Sequence, residues 1–499
     1  MRIVFFLTMK TNIKLIIAFL IISTGLCAQG VDDAVNFTQT RYEGTARSMS
    51  MGGATGAMGG DLTSLCINPA GLGLYRSSEF AFTTGLQHVN TLSSYYGDSQ
   101  SDYQMRLSIP NVGLVTSWYA SNYKPLRYLQ FSVTLNRTND FNYYSKASGV
   151  NPNSSMVDEY LQVANSIDDL LKPSTNPGDY LADNFPYDLS PAWETFLIDR
   201  YIDDSTGHYF FGSPVPPGNV DQTDVVSCKG RSEEWAFALA ANYYDKLFLG
   251  ASLGVSHIKR ISKRDYTETG LDGSFDNWTH REELSDTLWG VNCKVGVIYY
   301  PTSWFRVGAA WHSRTRSSVG EIWATETATT IDRYRKYLSP ELYQTYAFRS
   351  PHSFTGSVAF IFPRTMLTAD VDYLDYGTSE FIGDGFENAN NNIKDILKPS
   401  YNIRLGMEWR IRQYFFRSGA AYYGSPYGFG EKYGSTKKVA LGFGFTTEGG
   451  TIWDFAYELS GSVRGYTPYQ YYVDEENIVE DIVQRQWRNK LVVTMRVKM

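Results

Sequence analysis

Side chains arranged for catalysis or metal binding are sparse along this 499-residue chain. The six histidines, His88, His208, His257, His280, His312 and His352, form no His-Glu-x-x-His pair and no other close ligand spacing. Hydrolytic metal chemistry therefore has no framework here. Cys27, Cys66, Cys228 and Cys293 are widely spaced and suggest neither a disulfide framework nor a metal site. The run GGATGAMGG, residues 52–60, is glycine-rich in the manner of a phosphate cradle, but no Lys-Ser or Lys-Thr follows it and no strand precedes it. Asp370 and Asp372 stand two apart, so on a strand they share one face, with Arg404, Arg410 and Arg496 as candidate partners. Charge balance is one use for such a set; carboxylate binding by the arginines is the other. No nucleophile stands beside a base, and neither an enzyme nor a cofactor is expected.

Composition asks what the chain is built for instead. Charged residues are 19% of the total, below the roughly 25% of soluble globular chains, while aromatics reach 15% with 37 Tyr. The formal net charge of -7 argues against nucleic-acid binding, which needs a basic face. At the N-terminus, Lys10 and Lys14 precede an apolar run from Leu15 to Ile22 and then small residues up to Ala28. This reads as a secretory signal peptide over residues 1–28. No later apolar stretch has the roughly 20 residues that a spanning helix requires. The mature chain is thus expected to be soluble outside the cytoplasm or to cross a membrane as a barrel.

From about Ser77 the dominant pattern is period-two alternation in segments of about ten residues or more. In TIWDFAYELSGSVRG, Trp453, Phe455, Tyr457 and Leu459 oppose Asp454, Glu458, Ser460 and Arg464. In LFLGASLGVS, Leu247, Leu249, Ala251 and Leu253 oppose Phe248, Gly250, Ser252 and Gly254. Strands are expected near 77–90, 104–118, 128–141, 232–243, 247–265, 284–299, 304–314, 352–362, 365–376, 400–411, 414–424, 436–446, 451–464 and 486–499. That makes about fourteen, and their connections alternate between tight turns and long excursions at 91–103, 142–231, 266–283, 315–351, 377–399, 425–435 and 465–485. Short turns on one side and long loops on the other are the connectivity of an outer-membrane barrel, with both termini periplasmic. The closing LVVTMRVKM alternates in the same sense, and Tyr243, Tyr299 and Tyr422 suit the aromatic girdles at the membrane interfaces.

Two excursions carry helical signals. In residues 142–231, Met156, Tyr160, Leu161, Ala164, Ile167 and Leu171 recur at helical spacing, and Ser190-Pro191 reads as a helix start before AWETFLIDRYI. Ser339-Pro340 repeats that start signal in the loop at 315–351. These segments are expected to form helices capping the barrel mouth or packing on one another.

Between the signal and the first strand lies ARSMSMGGATGAMGGDLTSLCINPAGLGL. Its Met51-Gly52-Gly53-Ala54, Gly60-Asp61 and Asn68-Pro69-Ala70-Gly71-Leu72 resemble the N-terminal signature of the FadL/OmpP1/TodX family of outer-membrane transporters for hydrophobic compounds. The resemblance implies an all-β fold: a transmembrane antiparallel barrel of about 14 strands, residues 77–499, with residues 29–76 as a plug in its lumen. It also implies passive passage of a hydrophobic small molecule of the long-chain fatty acid or aromatic hydrocarbon type, past a plug containing the Asn68-Pro69-Ala70 motif and out through a gap at the third strand. NRTND, residues 136–140, interrupts the alternation of Leu129, Phe131, Val133 and Leu135 and is a candidate for that gap. Physical chemistry fits a plug independently: glycines allow close backbone approach, and Met49, Met51 and Met58 are adaptable surfaces for apolar ligands. Expected partners are the hydrophobic ligand, outer-membrane lipid and lipopolysaccharide, with no nucleic acid and no metal. A rival reading is a barrel scaffold that binds secreted protein cargo, like the PorV component of type IX secretion, with residues 142–231 as the docking surface.

Overall fold

The computed structural model describes residues 30–121, 124–271, 275–331, 333–428 and 431–499; the expected signal peptide lies outside the described residues. The chain forms a closed antiparallel barrel of fourteen strands. They are β1 (Glu79–Tyr95), β2 (Asp98–Tyr119), β3 (Leu126–Asp140, resumed at Tyr143–Asn151), β4 (Val220–Tyr243), β5 (Leu247–Gly270) and β6 (Asn277–Thr302). Then come β7 (Phe305–His312 and Arg316–Thr329), β8 (Leu342–Arg349 and Ser353–Ile361) and β9 (Thr365–Asp375, with Glu380–Ile382). The last five are β10 (Pro399–Ile411), β11 (Tyr414–Tyr423), β12 (Thr436–Thr446), β13 (Ile452–Tyr466) and β14 (Ile482–Lys498). Each strand pairs with its sequence neighbour, and the ladder between β14 and β1, from Glu79↔Lys498 to Ser94↔Val483, closes the ring. Among the described residues no helix is long and apolar enough to cross a membrane.

The alternating faces sort as the pattern requires. Leu249, Ala251 and Leu253 of β5 point outward and exposed, while Phe248 and Ser252 point inward and are buried. An outward apolar band with a polar interior is what a lipid solvent imposes on a barrel. The band has a visible upper edge. On β6 it runs from Tyr299 through Val295 and Val291 to Trp289, and Thr287, Ser285 and Glu283 follow on the same face.

Several strands extend further than the alternation suggests. Residues 91–103, expected as an excursion, are instead the tip of a hairpin whose turn is Tyr96-Gly97. The long second loop shrinks from 142–231 to 152–219, because Tyr143–Asn151 and the start of β4 pair with each other. Above the apolar band both strand faces are polar, so periodicity fades while the backbone ladder continues. Ser339-Pro340 starts no helix: Ser339 exchanges backbone and side-chain hydrogen bonds with Thr325 and turns the chain between two strands. Ser190-Pro191 does lie in a helix, but a short one, Leu189–Glu194, with Asp188 in the cap position. Phe196 then adopts φ 58°, and Asp199–Ile202 pairs as a strand with Tyr209–Gly212.

The helix at Met156–Ser166, α1, starts with a capping box between Ser155 and Asp158. Its buried face joins Tyr266 of β5, Trp278 of β6 and Tyr469 of the last long loop in one apolar cluster, so the helix docks on the barrel rather than only on itself. Glu268 is the polar anchor of this contact, accepting from Met156 N at 2.8 Å, Tyr266 Oη at 2.8 Å, Gln222 Nε2 at 2.9 Å and Trp278 Nε1 at 3.0 Å.

Leu253→Arg, in the middle of the apolar band, destabilises the barrel by about 2–4 kcal/mol, whereas Thr287→Arg on the same face above the band costs about 0–1 kcal/mol; unfolding and refolding in lipid vesicles measures both. In the cap, burial pushes the Glu159 carboxyl up to about 8, with repulsion from Asp188 adding to it, and burial pushes Asp188 up to about 7 with Glu282 nearby. A folded state that holds protons the unfolded state has released loses stability as pH rises through that window. Proteolysis within residues 152–219 is accordingly slower at pH 5 than at pH 8.

Candidate functional site

The candidate site is the segment between Gly30 and Tyr75, a helix at Val31–Thr38 followed by short capped turns. Thr45 caps a helix at Ala46–Ser50, α2, by accepting from Ser48 N, and its hydroxyl donates to Asp61 at 2.7 Å. Asp61 in turn caps the 3-10 turn Leu62–Cys66 by accepting from Thr63 N at 2.9 Å. Asn68 caps the next turn, Pro69–Leu74, where Pro69 sits at the first position and its missing N–H leaves no donor unpaired. The Asn68 side chain does three things at once. Its Oδ1 accepts from Ala70 N at 3.1 Å, and its Nδ2 donates to Gly56 O at 2.9 Å and to Val297 O of β6 at 3.2 Å. Gly71 closes the loop back on the glycine run, its carbonyl accepting from Gly60 N at 3.0 Å.

Inward-facing side chains of the strands bind the remaining backbone of this segment from every side. Thr494 of β14 accepts from Ala46 N at 2.7 Å, Asp370 of β9 from Gly56 N at 2.9 Å, and Gln130 of β3 donates to Tyr75 O at 2.9 Å. Arg306 of β7 donates to Met58 O at 3.0 Å, and His312 Nε2 donates to Ile67 O at 2.8 Å. Ion pairs reinforce the contact: Arg47 with Glu408 at 3.2 Å, and Glu43 with Lys490.

Two places bring the segment against the wall backbone, and both require wall glycines. A Cβ on Gly296 would lie 2.0 Å from Asn68 Oδ1, and one on Gly250 2.3 Å from Pro69 C. On the opposite wall, a Cβ on Gly419 would lie 2.1 Å from Gly52 N, and one on Gly406 2.6 Å from Met51 O; Gly52 itself has φ 64°. Gly53 passes over the Arg404 side chain. Met49 packs against Ala456 and Val492, and Met49, Met51 and Met58 are all buried. None of the three lines the lumen cavities of about 310 and 90 Å³ near the loop end.

The charged residues divide. Arg404 meets Asp372 at 2.7 Å and Asp370 at 3.6 Å, and Arg496 meets Asp454 at 2.7 Å. Arg410 does not belong with them. It has the inward parity but lies exposed at the turn end of β10, over the Phe415 ring at 4.8 Å, below the level that the N-terminal segment fills. Arg417, which bridges Glu408 and Asp454 at 2.7 Å each, and the buried pair Lys294–Glu234 went unnoticed in the sequence. Their signal was inward parity on neighbouring strands, which becomes a pairing only when register is known.

No sequence-family model and no curated protein sequence matches this chain. Solved structures do. A Pseudomonas aeruginosa FadL homologue superposes with a TM-score of 0.56 at 10% identity, covering 92% of this chain and 99% of that one. The P. putida toluene transporter TodX superposes with a TM-score of 0.52 at 13% identity, with 92% and 99% covered. The fold is that of the FadL/TodX family.

Within this FadL/TodX fold the wall is broken between its second and third strands. The β2–β3 ladder ends at Asn111↔Asn136, while β3 stays paired with β4 through register shifts at Arg137 and Asn139. NRTND lies at this break, and residues 136–142 are buried without alternation. Beyond the break, Arg106 of β2 reaches across to Asn142. Tyr103 and Leu107, 71% and 75% exposed, flank it on the outer face.

Asn68→Ala leaves the Gly56 and Val297 carbonyls and the Ala70 N–H without these partners and destabilises the folded barrel by about 1–3 kcal/mol. Gly296→Ala acts on the same contact from the wall side. Denaturant unfolding in detergent micelles reads both losses.

Proposed function

We propose that this chain is an outer-membrane channel that passes hydrophobic small molecules by passive diffusion, with residues 29–76 as the plug of its lumen and both termini in the periplasm. The observation that carries this reading is the ring of hydrogen bonds between side chains of β3, β7, β9 and β14 and the backbone of the N-terminal segment, joined by the Asn68 side chain donating to a β6 carbonyl, within a barrel of the FadL/TodX fold. Irregular backbone at membrane depth is tolerable only where protein or lumen water satisfies its polar groups, and here the wall does so. Supporting it, one solved neighbour is described as a toluene transporter. The Asn68-Pro69-Ala70 turn is the pivot of the plug. The break between β2 and β3 is the lateral exit, by which an apolar solute reaches lipid without crossing the polar periplasmic face.

A second reading keeps the barrel and changes the cargo. Phe196 and, on the hairpin after it, Tyr201, Ile202 and Phe210 are exposed on the long second loop, which suits a surface scaffold for a secreted protein. Flux separates the two. In lipid vesicles, the protein speeds entry of apolar aromatic and fatty-acid probes. Deleting residues 30–75 changes that rate several-fold, and Asn68→Ala shifts it in the same direction. A disulfide formed between Arg106→Cys and Asn142→Cys stops it until reduced. Equal entry with and without the protein overturns transport and leaves the scaffold.

A further inference from the structure

The cavity of about 310 Å³ at the loop end of the lumen has the wrong lining for a hydrocarbon. It lies between the N-terminal segment, the loop ends of β13 and β14, and the start of the resumed half of β3. Four tyrosines, Tyr143, Tyr427, Tyr433 and Tyr466, supply its flat surfaces, and aliphatic contact comes only from Val35, Val226 and Pro426. Its volume sits at the lower end of the range of small-molecule sites. A wider recess shares Asp32, Tyr427, Tyr433 and Gly465 with it and leads outward past Ile396 and Glu431.

Its charges are unbalanced. Arg260, on one wall, is neutralised by Asp286 at 2.6 Å and by Asp33. Asp32, on another, accepts from Tyr427 Oη at 2.7 Å. Arg41 and Arg464 have no such compensation: among the described residues neither forms an ion pair with a carboxylate. Arg41 donates to Gln39 Oε1 at 2.9 Å while its Nε has no partner, and Arg464 stacks 5.4 Å from the centre of the Tyr143 ring. Burial pulls the Arg41 guanidinium down to about 9, and the neighbouring Arg464 and Arg488 add to the effect. A guanidinium surrounded by other guanidinium groups and phenols is completed by an anion with a planar body.

Resting on the transport reading, we infer that this cavity is a selectivity site for aromatic carboxylates, with Arg41 and Arg464 holding the carboxylate and the tyrosines the ring. Charge-assisted hydrogen bonds to two guanidinium groups fix the anionic end. Tyrosine faces then give the ring its offset or edge contacts. A long alkyl chain would instead strip water from the tyrosine hydroxyls without replacing it, which is costly.

Calorimetry on the purified barrel in detergent, with benzoate, benzamide, toluene and decanoate as probes, tests this. Benzoate binds at least about tenfold more tightly than the other three, and Arg464→Gln and Arg41→Gln each weaken it by about tenfold or more, the size of one lost charge-assisted hydrogen bond. Benzamide has the shape without the charge, so its comparison with benzoate on the unaltered protein is independent of whether a variant folds. Benzamide or toluene binding as tightly as benzoate overturns the inference, as does unchanged benzoate affinity in the double variant. Decanoate matching benzoate overturns the aromatic part. Vesicle entry of toluene unaffected by the protein, alongside arginine-dependent benzoate binding, removes the transport reading while the binding site stands.

Discussion

Everything in this molecule depends on one constraint: in hydrocarbon, a backbone N–H or C=O finds no partner outside the protein. A sheet meets that constraint only by closing on itself. The β14–β1 ladder, sixteen residue pairs from Glu79↔Lys498 to Ser94↔Val483, removes both edges and makes the other thirteen pairings possible at membrane depth. Closure also decides where the polar and apolar halves of each strand go. One face meets lipid, and Leu253 is consequently exposed; the other faces the lumen, and Arg404 is consequently 99% hidden, since its relative exposure is 1%.

The lumen then sets a second problem. Buried charges are tolerated only when paired and hydrogen-bonded. Arg417 between Glu408 and Asp454, Arg404 between Asp370 and Asp372, and Lys294 with Glu234 meet that requirement across neighbouring strands. The N-terminal segment meets its own by borrowing side chains from the wall, since short turns cannot satisfy all their backbone groups internally. Inward glycines at 250, 296, 406 and 419 let that segment sit against the wall backbone, where any side chain would hold it off. The outer part of the lumen differs. Arg260 there is paired with Asp286 and Asp33, whereas Arg41 and Arg464 on the same cavity form no ion pair among the described residues.

Legibility in the sequence followed the solvent. Where lipid touches one face and protein or water the other, as along 247–255 and 452–460, alternation is sharp and the strands were placed closely. Above the apolar band, both faces of residues 91–103, 220–231 and 316–329 are wet or loop-covered, so the same ladder continued with no periodic trace. Ser339-Pro340 carried a helix-start signal that tertiary pairing with Thr325 overrode. Arg410 had the parity of a lumen residue, but parity says nothing about height, and its position at the turn end put it outside. The three methionines of the opening segment were readable as soft apolar surface; that Met49 packs against Ala456 and Val492, and Met51 against Gly406, depends on which strands face them.

The chain alone therefore determined its class of solvent and its strand number, because period-two patterning and turn chemistry are local properties of residues a few positions apart. Tertiary structure alone decided which charges meet, which glycines touch the N-terminal segment, where β3 parts from β2, and which arginines are left without a counter-charge. These depend on register and height between strands up to several hundred residues apart. A single chain written in order contains no direct trace of either.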